Sequence, residues 1–509
     1  MEKSRTYNSV KNVIFSIGTY IITLILEFVS RTIFIHLLTE EYLGLNGLFA
    51  NILSFLSLAE LGVGTAMSYA LYKPLKENDT EVVKSIMYLY RKLYCIIGFI
   101  VLAVGFMLTP FLPHLIKEMP ENMPYLYLYY ILYVLNSGIS YFYTYKRSII
   151  ICDQKEYIST ISTTIAGISR LLLQIIVLLV TKSYSLYLVV MILTTLGENI
   201  VISTIAGKQY PYLKERNVDA LSSEITTTIK KNVFAMLFHK IGTAVVSATD
   251  NIIISKFVGL VALGVYSNYV LIVNAVTNLL NKIFTSLTAS IGNLALADDK
   301  EHVEKVFYRT LFMNIWSRGF CAICLLCLLQ PFINLWLGNR FLLTNATLII
   351  IVINFYLKGV RSTVLTFRDA TGIFWYDRYK PLIESVCNLV FSIPLAIKYG
   401  ISGVLLGTIL STILVPLWVE PYVLFKYYFK KGIGQYMACQ CKYAIVIIII
   451  ACMNYKICSV LPMAGIGIFI LKLLICIIVP NVCMILLWHK KEEYQYYYHL
   501  VLKVLGKAK

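Results

Sequence analysis

The composition of the chain excludes an ordinary soluble protein. Its 509 residues are 58% hydrophobic and 14% charged, whereas soluble domains have roughly 45–50% apolar and about 25% charged residues. The net charge of +18 could suggest a nucleic-acid partner. However, the cations lie in short loops beside apolar segments, which indicates a membrane protein among anionic lipids and argues against nucleic acid.

Apolar segments follow one another along nearly the whole chain. A spanning helix needs roughly 20 apolar residues, and about fourteen segments meet this requirement. They lie at 12–36, 48–71, 93–115, 124–145, 157–181, 185–206, 233–256, 261–283, 311–337, 342–365, 381–398, 401–425, 437–456 and 465–488. The first lacks a small-residue cleavage site, so we expect a spanning helix and not a signal peptide. The pattern predicts an all-α polytopic membrane protein.

Lys and Arg residues fall mainly on alternate loops. Of the 45 cations, 32 lie in loops or near segment ends on the side that holds both termini, 6 lie in such positions on the other side, and the remaining 7 are assigned to the segments themselves. Because cytoplasmic loops are enriched in Lys and Arg, we expect both termini in the cytoplasm. The opposite loops are short, with the longest at about 111–123. Short outer loops and the lack of any catalytic motif predict that the protein is not an enzyme and has no catalytic residues.

A faint internal repeat divides the chain. Asn12-Val13 corresponds to Asn232-Val233, and the segment 43–46 corresponds to 263–266, at an offset near 220 residues. This predicts a six-helix bundle at 1–207, a cytoplasmic linker at 208–231 and a second six-helix bundle at 232–431. Two further helices and a basic tail follow at 432–509. Six helices per copy give both copies the same orientation, related by a pseudo-twofold axis along the membrane normal with a cleft between them.

Charged residues inside the apolar segments are the candidate functional residues, because an intramembrane charge is costly and usually faces a cavity or a partner. Arginine and lysine bind phosphate strongly, so intramembrane cations suit a phosphate-bearing substrate, although a structural role is as plausible for each one. The cationic candidates are Arg31, Arg170, Lys240 and Arg318; the candidates for ion coupling or gating are Glu27, Glu60 and Asp250.

Three of these candidates allow more specific hypotheses. Glu27 and Arg31 are four residues apart on one helix face, so they form either a self-neutralising pair or a cavity-lining pair that releases Arg31 to an anion. Arg31 and Asp250 occupy nearly equivalent repeat positions, and they either meet when an outer gate closes or pair within their own bundles. Glu60 either carries a proton or Na⁺, or makes a hydrogen-bonded helix contact.

The chain has 12 cysteines, most of them inside apolar segments. Cys321, Cys324 and Cys327 have a spacing that metal ligands can have, but no histidine or acidic residue lies nearby in the sequence. Cysteine is also common as a small buried residue. We therefore expect no metal site and no disulfide framework.

Two stretches carry a resemblance to a known family. They are Tyr42-Leu-Gly-Leu-Asn-Gly47 continuing to Glu60–Ala66, and Thr249–Lys256 continuing to Gly264–Asn268. With its length and helix pattern, the chain resembles the polysaccharide-transporter family of bacterial flippases, whose superfamily includes multidrug-and-toxin-extrusion transporters and lipid II flippases. The resemblance implies alternating-access translocation of undecaprenyl-pyrophosphate-linked oligosaccharides for O-antigen, capsule or exopolysaccharide synthesis. The cationic candidates would then hold the pyrophosphate.

The resemblance also sets the expected surroundings. We expect a monomer in the bacterial plasma membrane, with membrane lipids, a lipid-linked oligosaccharide and other polysaccharide-assembly membrane proteins as partners. No cofactor is expected beyond a coupling H⁺ or Na⁺. Two alternatives remain open. A cleft dominated by carboxylates would favour a cation-coupled multidrug exporter, whereas a membrane glycan polymerase or ligase is disfavoured by the short outer loops.

Overall fold

The chain is almost entirely helical. The computed structural model describes residues 2–60, 63–118, 123, 125–153, 155–215, 221, 226–227, 229, 233, 249–296, 300–371, 373, 376–462 and 465–504. Within these ranges the regular structure consists of helices without strands, which confirms the predicted all-α class. The chain forms two compact units, Met1–Gly264 and Val265–Lys509. The narrower domain limits from the sequence stay predictions.

Seven numbered helices lie wholly in the first unit. They are α1 (Glu2–Leu37), α2 (Glu40–Leu56), α3 (Val63–Glu77), α4 (Thr80–Leu108), α5 (Leu126–Cys152), α6 (Glu156–Thr181) and α7 (Tyr184–Gln209). Short 3₁₀ turns at Ser57–Glu60, Thr109–Leu115 and Pro211–Lys214 supplement them, and residues 249–257 are also helical.

The remaining helices continue to the C-terminus. They are α8 (Leu260–Leu296), α9 (Lys300–Leu337), α10 (Asn345–Val360), α11 (Ser362–Thr371), α12 (Lys380–Leu414), α13 (Pro416–Val423), α14 (Gly434–Ser459), α15 (Ile466–Trp488) and α16 (Glu492–Val504). A 3₁₀ turn at Asn339–Phe341 follows α9, and a π-helical turn at Leu424–Phe429 extends α13.

Local chemistry sets several helix ends. The Asp79 side chain accepts a hydrogen bond from the Val82 backbone N–H at 3.1 Å and so caps α4. Ser183 caps α7 in the same way through Leu186 N–H at 3.4 Å. Such caps satisfy backbone donors that the first helical turn leaves unpaired. Lys182, with φ of 52°, ends α6 in the left-handed conformation that commonly terminates helices.

Irregular backbone lies inside one predicted span and between two others. The predicted span 48–71 covers the end of α2, the 3₁₀ turn Ser57–Glu60 and part of α3. The predicted spans 381–398 and 401–425 meet inside α12 at Gly400, whose φ of 59° kinks the helix. Glycine adopts this conformation readily because it has no Cβ. A hydropathy window measures side-chain polarity, so it does not detect the turn at Ser57–Glu60. The predicted boundary between residues 398 and 401, by contrast, coincides with the kink at Gly400.

The structure is that of a multi-pass membrane protein. Ten of its described helical stretches are long and apolar enough to cross a bilayer. The count of fourteen is not confirmed by this criterion, which treats Lys380–Phe429 as one stretch although the sequence predicts two spans there. Most of the predicted span 233–256 lies outside the described residues. The predicted basic tail contains a further helix, α16.

Both units are packed around buried apolar side chains and expose apolar surface outward. The first core includes Met67, Ile86 and Tyr90, and the second includes Phe307 and Phe425. Large apolar side chains are exposed along whole helix faces; in the C-terminal helices they include Ile445, Ile448, Ile449, Ile478 and Leu486. Helices of this kind suit a lipid environment, where apolar side chains carry no hydration cost.

Candidate functional site

One face of α6 is polar through most of the helix. Its residues recur at intervals of three and four, which places them on one side of a helix with 3.6 residues per turn. They are Glu156, Ser159, Thr160, Thr163, Thr164, Gly167 and Arg170. At a rise of 1.5 Å per residue this polar face is about 21 Å long, which is much of the thickness of a bilayer core.

The polar face of α6 lines a cavity of about 430 Å³ in the first unit. Thr23 of α1 and Thr194, Thr195 and Glu198 of α7 complete its wall. Most of the lining side chains are hydroxyls, which both donate and accept hydrogen bonds. This cavity can therefore hydrogen-bond a polar, uncharged molecule along most of its length.

One of the carboxylates that line the cavity is held in an ion pair. Arg147 of α5 contacts the Glu198 carboxylate through Nη2 at 2.5 Å, and Thr163 donates a hydrogen bond to the same carboxylate at 2.8 Å. Arg147 and Glu198 are 24% and 17% exposed. Because Glu198 has this cationic partner, much of its negative charge is balanced within the protein.

Arg170 connects the cavity to a second group of charges. Glu27 of α1 interacts electrostatically with both Arg170 and Arg31. The half-buried Tyr133 and Tyr187 interact with the same two arginines. Two cations around one carboxylate leave a net positive charge. Arg170 is exposed, and within the described part of the chain its guanidinium makes no hydrogen bond.

Aromatic side chains connect α1, which carries Glu27 and Arg31, to neighbouring helices. Tyr184 donates a hydrogen bond to the Asn46 side-chain oxygen at 2.6 Å, and Tyr133 donates to the same oxygen. Phe34 packs edge-on against Tyr184 and Tyr187, with ring centroids 5.9 Å and 5.3 Å apart. These contacts connect α1, α2, α5 and α7. Because Phe34 lies about one turn after Arg31, they limit the movement of the helices around Arg31.

The structure thus brings three of the candidates from the sequence together, namely Arg31, Arg170 and Glu27. Glu60 lies elsewhere in the first unit and accepts a hydrogen bond from Tyr94. Asp250 lies in the helical residues 249–257, and its suggested pairing with Arg31 stays a prediction. Lys240 lies outside the described residues.

Arg318 is placed in the second unit. It is 1% exposed, its Nη2 donates to the Asn281 side-chain oxygen at 2.6 Å, and its guanidinium lies 5.6 Å from the Phe355 ring centroid. A Cβ at Gly359 would come within 2.5 Å of the Arg318 side chain, so glycine makes room for it. These enclosing contacts indicate that Arg318 packs inside its own unit.

The hydroxyl face of α6 and the tyrosines beside the arginines are not among the residues predicted from the sequence. A search for charges alone passes over serine and threonine. The signal was present, because Ser159, Thr160, Thr163 and Thr164 recur at helical spacing inside an apolar segment. The positions of Tyr133 and Tyr187 depend on how α5 and α7 pack, and no local pattern predicts them.

The family model for polysaccharide biosynthesis proteins matches residues 9–288 of the chain, which is more than half of its length. No curated protein sequence matches the chain. Among solved structures, the lipid II flippase MurJ in an inward closed conformation is similar, with a TM-score of 0.65 and 15% identity. That match covers 94% of this chain and 99% of MurJ.

Multidrug transporters also have a similar fold. An inward-facing multidrug resistance MATE family transporter matches 77% of this chain and 91% of its own, with a TM-score of 0.60 and 14% identity. A point mutant of the Vibrio cholerae MATE transporter VcmN matches 81% of this chain and 95% of its own, with a TM-score of 0.58 and 16% identity. At these identities the similarity establishes the fold and leaves the transported molecule open.

Proposed function

Since the chain belongs to the polysaccharide biosynthesis protein family, we propose that it is a flippase for a lipid-linked oligosaccharide. It moves an undecaprenyl-pyrophosphate-linked repeat unit from the inner to the outer leaflet of the bacterial plasma membrane by alternating access. Both termini lie in the cytoplasm, as the distribution of Lys and Arg on the loops supports. The unit then enters polymerisation into a surface polysaccharide.

The observation that carries this proposal is that Arg31 and Arg170 both interact electrostatically with Glu27. The two arginines come from different helices and give the site a net positive charge. Guanidinium groups bind phosphate oxygens through paired hydrogen bonds, and these bonds are strong where water is scarce. In the proposed cycle, the pyrophosphate binds the two arginines, and Glu27 offsets part of their charge when the site is empty.

The hydroxyl-lined cavity supports a sugar as the neighbouring part of the substrate. Its volume of about 430 Å³ falls within the usual range for ligand pockets, about 300–1,000 Å³. Sugar hydroxyls pair well with threonine and serine hydroxyls, since both groups donate and accept. Arg170 belongs to the cavity wall and to the charged group, so one substrate can engage both regions.

A cation-coupled multidrug exporter is the second candidate function. Glu156 and Glu198 line the cavity together with a single arginine, Arg170, and carboxylates attract cationic drugs. The ion pair between Glu198 and Arg147 weakens this attraction. The oligosaccharide proposal therefore accounts for more of the charge in the site.

The decisive experiment replaces Arg31 and Arg170 together by alanine. In a strain that lacks the chromosomal gene, the double variant is expected to restore less than about a tenth of the surface polysaccharide restored by the unchanged protein, because both phosphate-binding cations are lost. Undecaprenyl-linked oligosaccharide should accumulate on the cytoplasmic face. Lys182→Gln is the matched control, because Lys182 is an exposed cation directly after α6 and outside the cavity.

Surface polysaccharide is measured by staining and the lipid-linked intermediate by mass spectrometry, at equal amounts of membrane-inserted protein. Normal polysaccharide from the double variant would contradict the proposed role of the two arginines. Normal polysaccharide in the deletion strain itself, together with increased sensitivity to cationic drugs, would favour the exporter.

Glu60 is the proposed carrier of the coupling proton. Tyr94 donates to its carboxylate, and Tyr94 packs against Tyr90, which hydrogen-bonds Ser148 at 2.9 Å. Glu60 also ends the 3₁₀ turn between α2 and α3, where a change of charge can alter the local bend.

Arg31 and Asp250 are proposed to pair when the outer gate is closed.

Glu60→Gln tests the coupling role. Glutamine mimics the protonated acid and retains an oxygen that accepts from Tyr94, so the fold should persist while proton-coupled transport falls at least about tenfold. Surface polysaccharide at matched expression is the measurement, and Glu77→Gln, an exposed position at the end of α3, is the control. Full activity of Glu60→Gln would leave Glu60 with a purely structural role.

A further inference from the structure

Three cysteines from separate helices meet inside the second unit. They are Cys327 of α9, Cys458 of α14 and Cys476 of α15, with exposed fractions of 5%, 3% and 0%. Their sulfur atoms all lie within 4.8 Å of one another. Cys324, one turn before Cys327, packs against the same group and donates to the Cys476 carbonyl oxygen at 3.8 Å. Nothing in the proposed transport cycle uses these thiols.

The sulfur spacing suits metal coordination. The Sγ atoms of Cys458 and Cys476 are 3.9 Å apart. Two thiolates on one tetrahedral zinc ion, each with a Zn–S bond of about 2.3 Å, lie about 3.8 Å apart. A disulfide bond would require about 2.05 Å. The thiols are therefore already near the distance that a shared metal ion would impose.

Asn454 provides a second, independent observation. Its side chain is 0% exposed, and its Nδ2 donates to Cys327 Sγ and Cys476 Sγ, each at 3.3 Å. Its Oδ1 has no hydrogen-bond partner among the described residues, which is costly for a buried polar atom. Amide donors to sulfur stabilise the thiolate form, as second-shell groups of metal sites do. The unpartnered oxygen belongs to the same amide group and would be satisfied by a metal ion or its bound water.

The ligand chemistry favours a soft metal ion. The partly buried apolar side chains packed against the three thiols are Cys324, Leu328, Tyr455 and Ile475. Among the described His, Cys, Asp and Glu residues, only cysteines meet at this point. Thiolate ligands select zinc and copper(I) over magnesium, calcium and manganese. The buried Lys472 interacts electrostatically with Cys458. Three thiolates and one ammonium balance a divalent ion, whereas a monovalent ion would leave a negative charge in an apolar interior.

We propose that Cys327, Cys458 and Cys476 form a zinc site that ties α14 and α15 to α9. Binding releases the three thiol protons, and the ion joins three helices that otherwise meet through side-chain packing. The Asn454 oxygen, or a water bound to it, takes the fourth position. All of these residues belong to the second unit, whereas the proposed phosphate-binding arginines belong to the first. The site therefore acts on the stability of the C-terminal helices and not on the substrate.

The test uses the full-length protein, purified in detergent and stripped of metal. A reductant that is not itself a thiol keeps the cysteines reduced. Titration with Co²⁺ should give sulfur-to-metal charge-transfer absorption that saturates near one ion per chain, and Zn²⁺ should abolish this absorption. Zinc should also raise the unfolding temperature. Cys476→Ser should lose both effects, and Asn454→Ala should weaken Co²⁺ binding roughly 10- to 100-fold.

Cys483→Ser is the matched control, since Cys483 also lies on α15 but outside the cluster; it should bind Co²⁺ normally. If Cys476→Ser fails to fold, Cys458→Ser near the end of α14 replaces it. Absence of charge-transfer absorption in the unchanged protein would overturn the proposal, and so would a cluster variant whose absorption equals that of the unchanged protein. So would the isolation of a Cys458–Cys476 disulfide from reductant-treated protein.

Discussion

Replacing Glu420 by alanine is expected to lower the free energy of unfolding by about 3–5 kcal/mol. Glu420 is 0% exposed and holds two cations. Arg361 binds it through two hydrogen bonds of 2.7 Å and 3.0 Å, and Lys380 binds it at 2.5 Å. Removing the carboxylate leaves both cations buried without their main partner, and the desolvation cost of each is then uncompensated.

The surrounding charges limit how far the structure can compensate. Lys380 also lies 3.6 Å from Asp377, which already pairs with Arg368 at 2.5 Å. Arg361 lies 3.6 Å from Glu384, a weaker contact than the one it would lose. Both remaining contacts are longer than those that Glu420 makes, so they compensate only part of the lost interaction.

Thermal unfolding in detergent, followed by the loss of the monodisperse peak in size-exclusion chromatography, measures this effect. Glu492→Ala is the control, because Glu492 is 74% exposed in its ion pair with Arg309, and exposed pairs contribute about 0–1 kcal/mol. The double variant Glu420→Ala/Arg361→Ala should be less destabilised than the sum of the single variants, since the two residues are in contact. Equal stability of Glu420→Ala and Glu492→Ala would refute the expectation.

This ion network shows what hydropathy alone predicts and what it misses. The sequence places Arg361 and Lys380 among the cations of cytoplasmic loops, and that assignment indicates the side of the membrane. It does not show that they are buried around Glu420, because Arg361 and Glu420 are 59 residues apart in the chain. Long-range pairing of charges depends on the packing of helices, which a window of neighbouring residues does not contain.

The same distinction holds for the candidate site. The sequence indicated Glu27, Arg31 and Arg170 because charges inside apolar segments stand out. It also related Glu27 to Arg31, which are neighbours on one helix. It could not predict that Arg170 of α6 joins them, or that Arg318 is enclosed in the second unit. Local patterns thus identified the unusual residues, and helix packing determines which of them interact with one another.

Replacing Gly44 by alanine is expected to separate α2 from the first turn of α8 and to destabilise the protein by at least about 1–3 kcal/mol, the usual cost of overpacking. A Cβ at Gly44 would overlap the carbonyl oxygen of Leu260, and a Cβ at Gly264 would overlap that of Glu40. Backbone atoms cannot move aside as a flexible side chain can. Small residues allow this close approach between membrane helices.

The two glycine contacts are equivalent in the internal repeat. Gly44 and Gly264 are 220 residues apart, and so are Glu40 and Leu260, which matches the offset found from the sequence. The crossing is therefore nearly symmetric. Gly44 lies against Leu260 and Gly264 lies against Glu40, and Leu260 and Glu40 occupy equivalent positions in the repeat. Once one alanine has separated the helices, the second should add little. The double variant should consequently be less destabilised than the sum of the single variants.

Gly47→Ala is the matched control for this prediction. Gly47 lies one turn after Gly44 on α2, and a Cβ there would be 3.6 Å from the nearest atom of Leu263, an ordinary van der Waals contact. The unfolding temperature of the Gly47→Ala variant in detergent should stay close to that of the unchanged protein or rise slightly, because alanine favours the helix. Strictly additive losses for Gly44→Ala and Gly264→Ala would show that the two contacts act independently. If Gly47→Ala lost as much stability as Gly44→Ala, helix propensity or lipid contact would account for the destabilisation, and the close crossing of the helices would not.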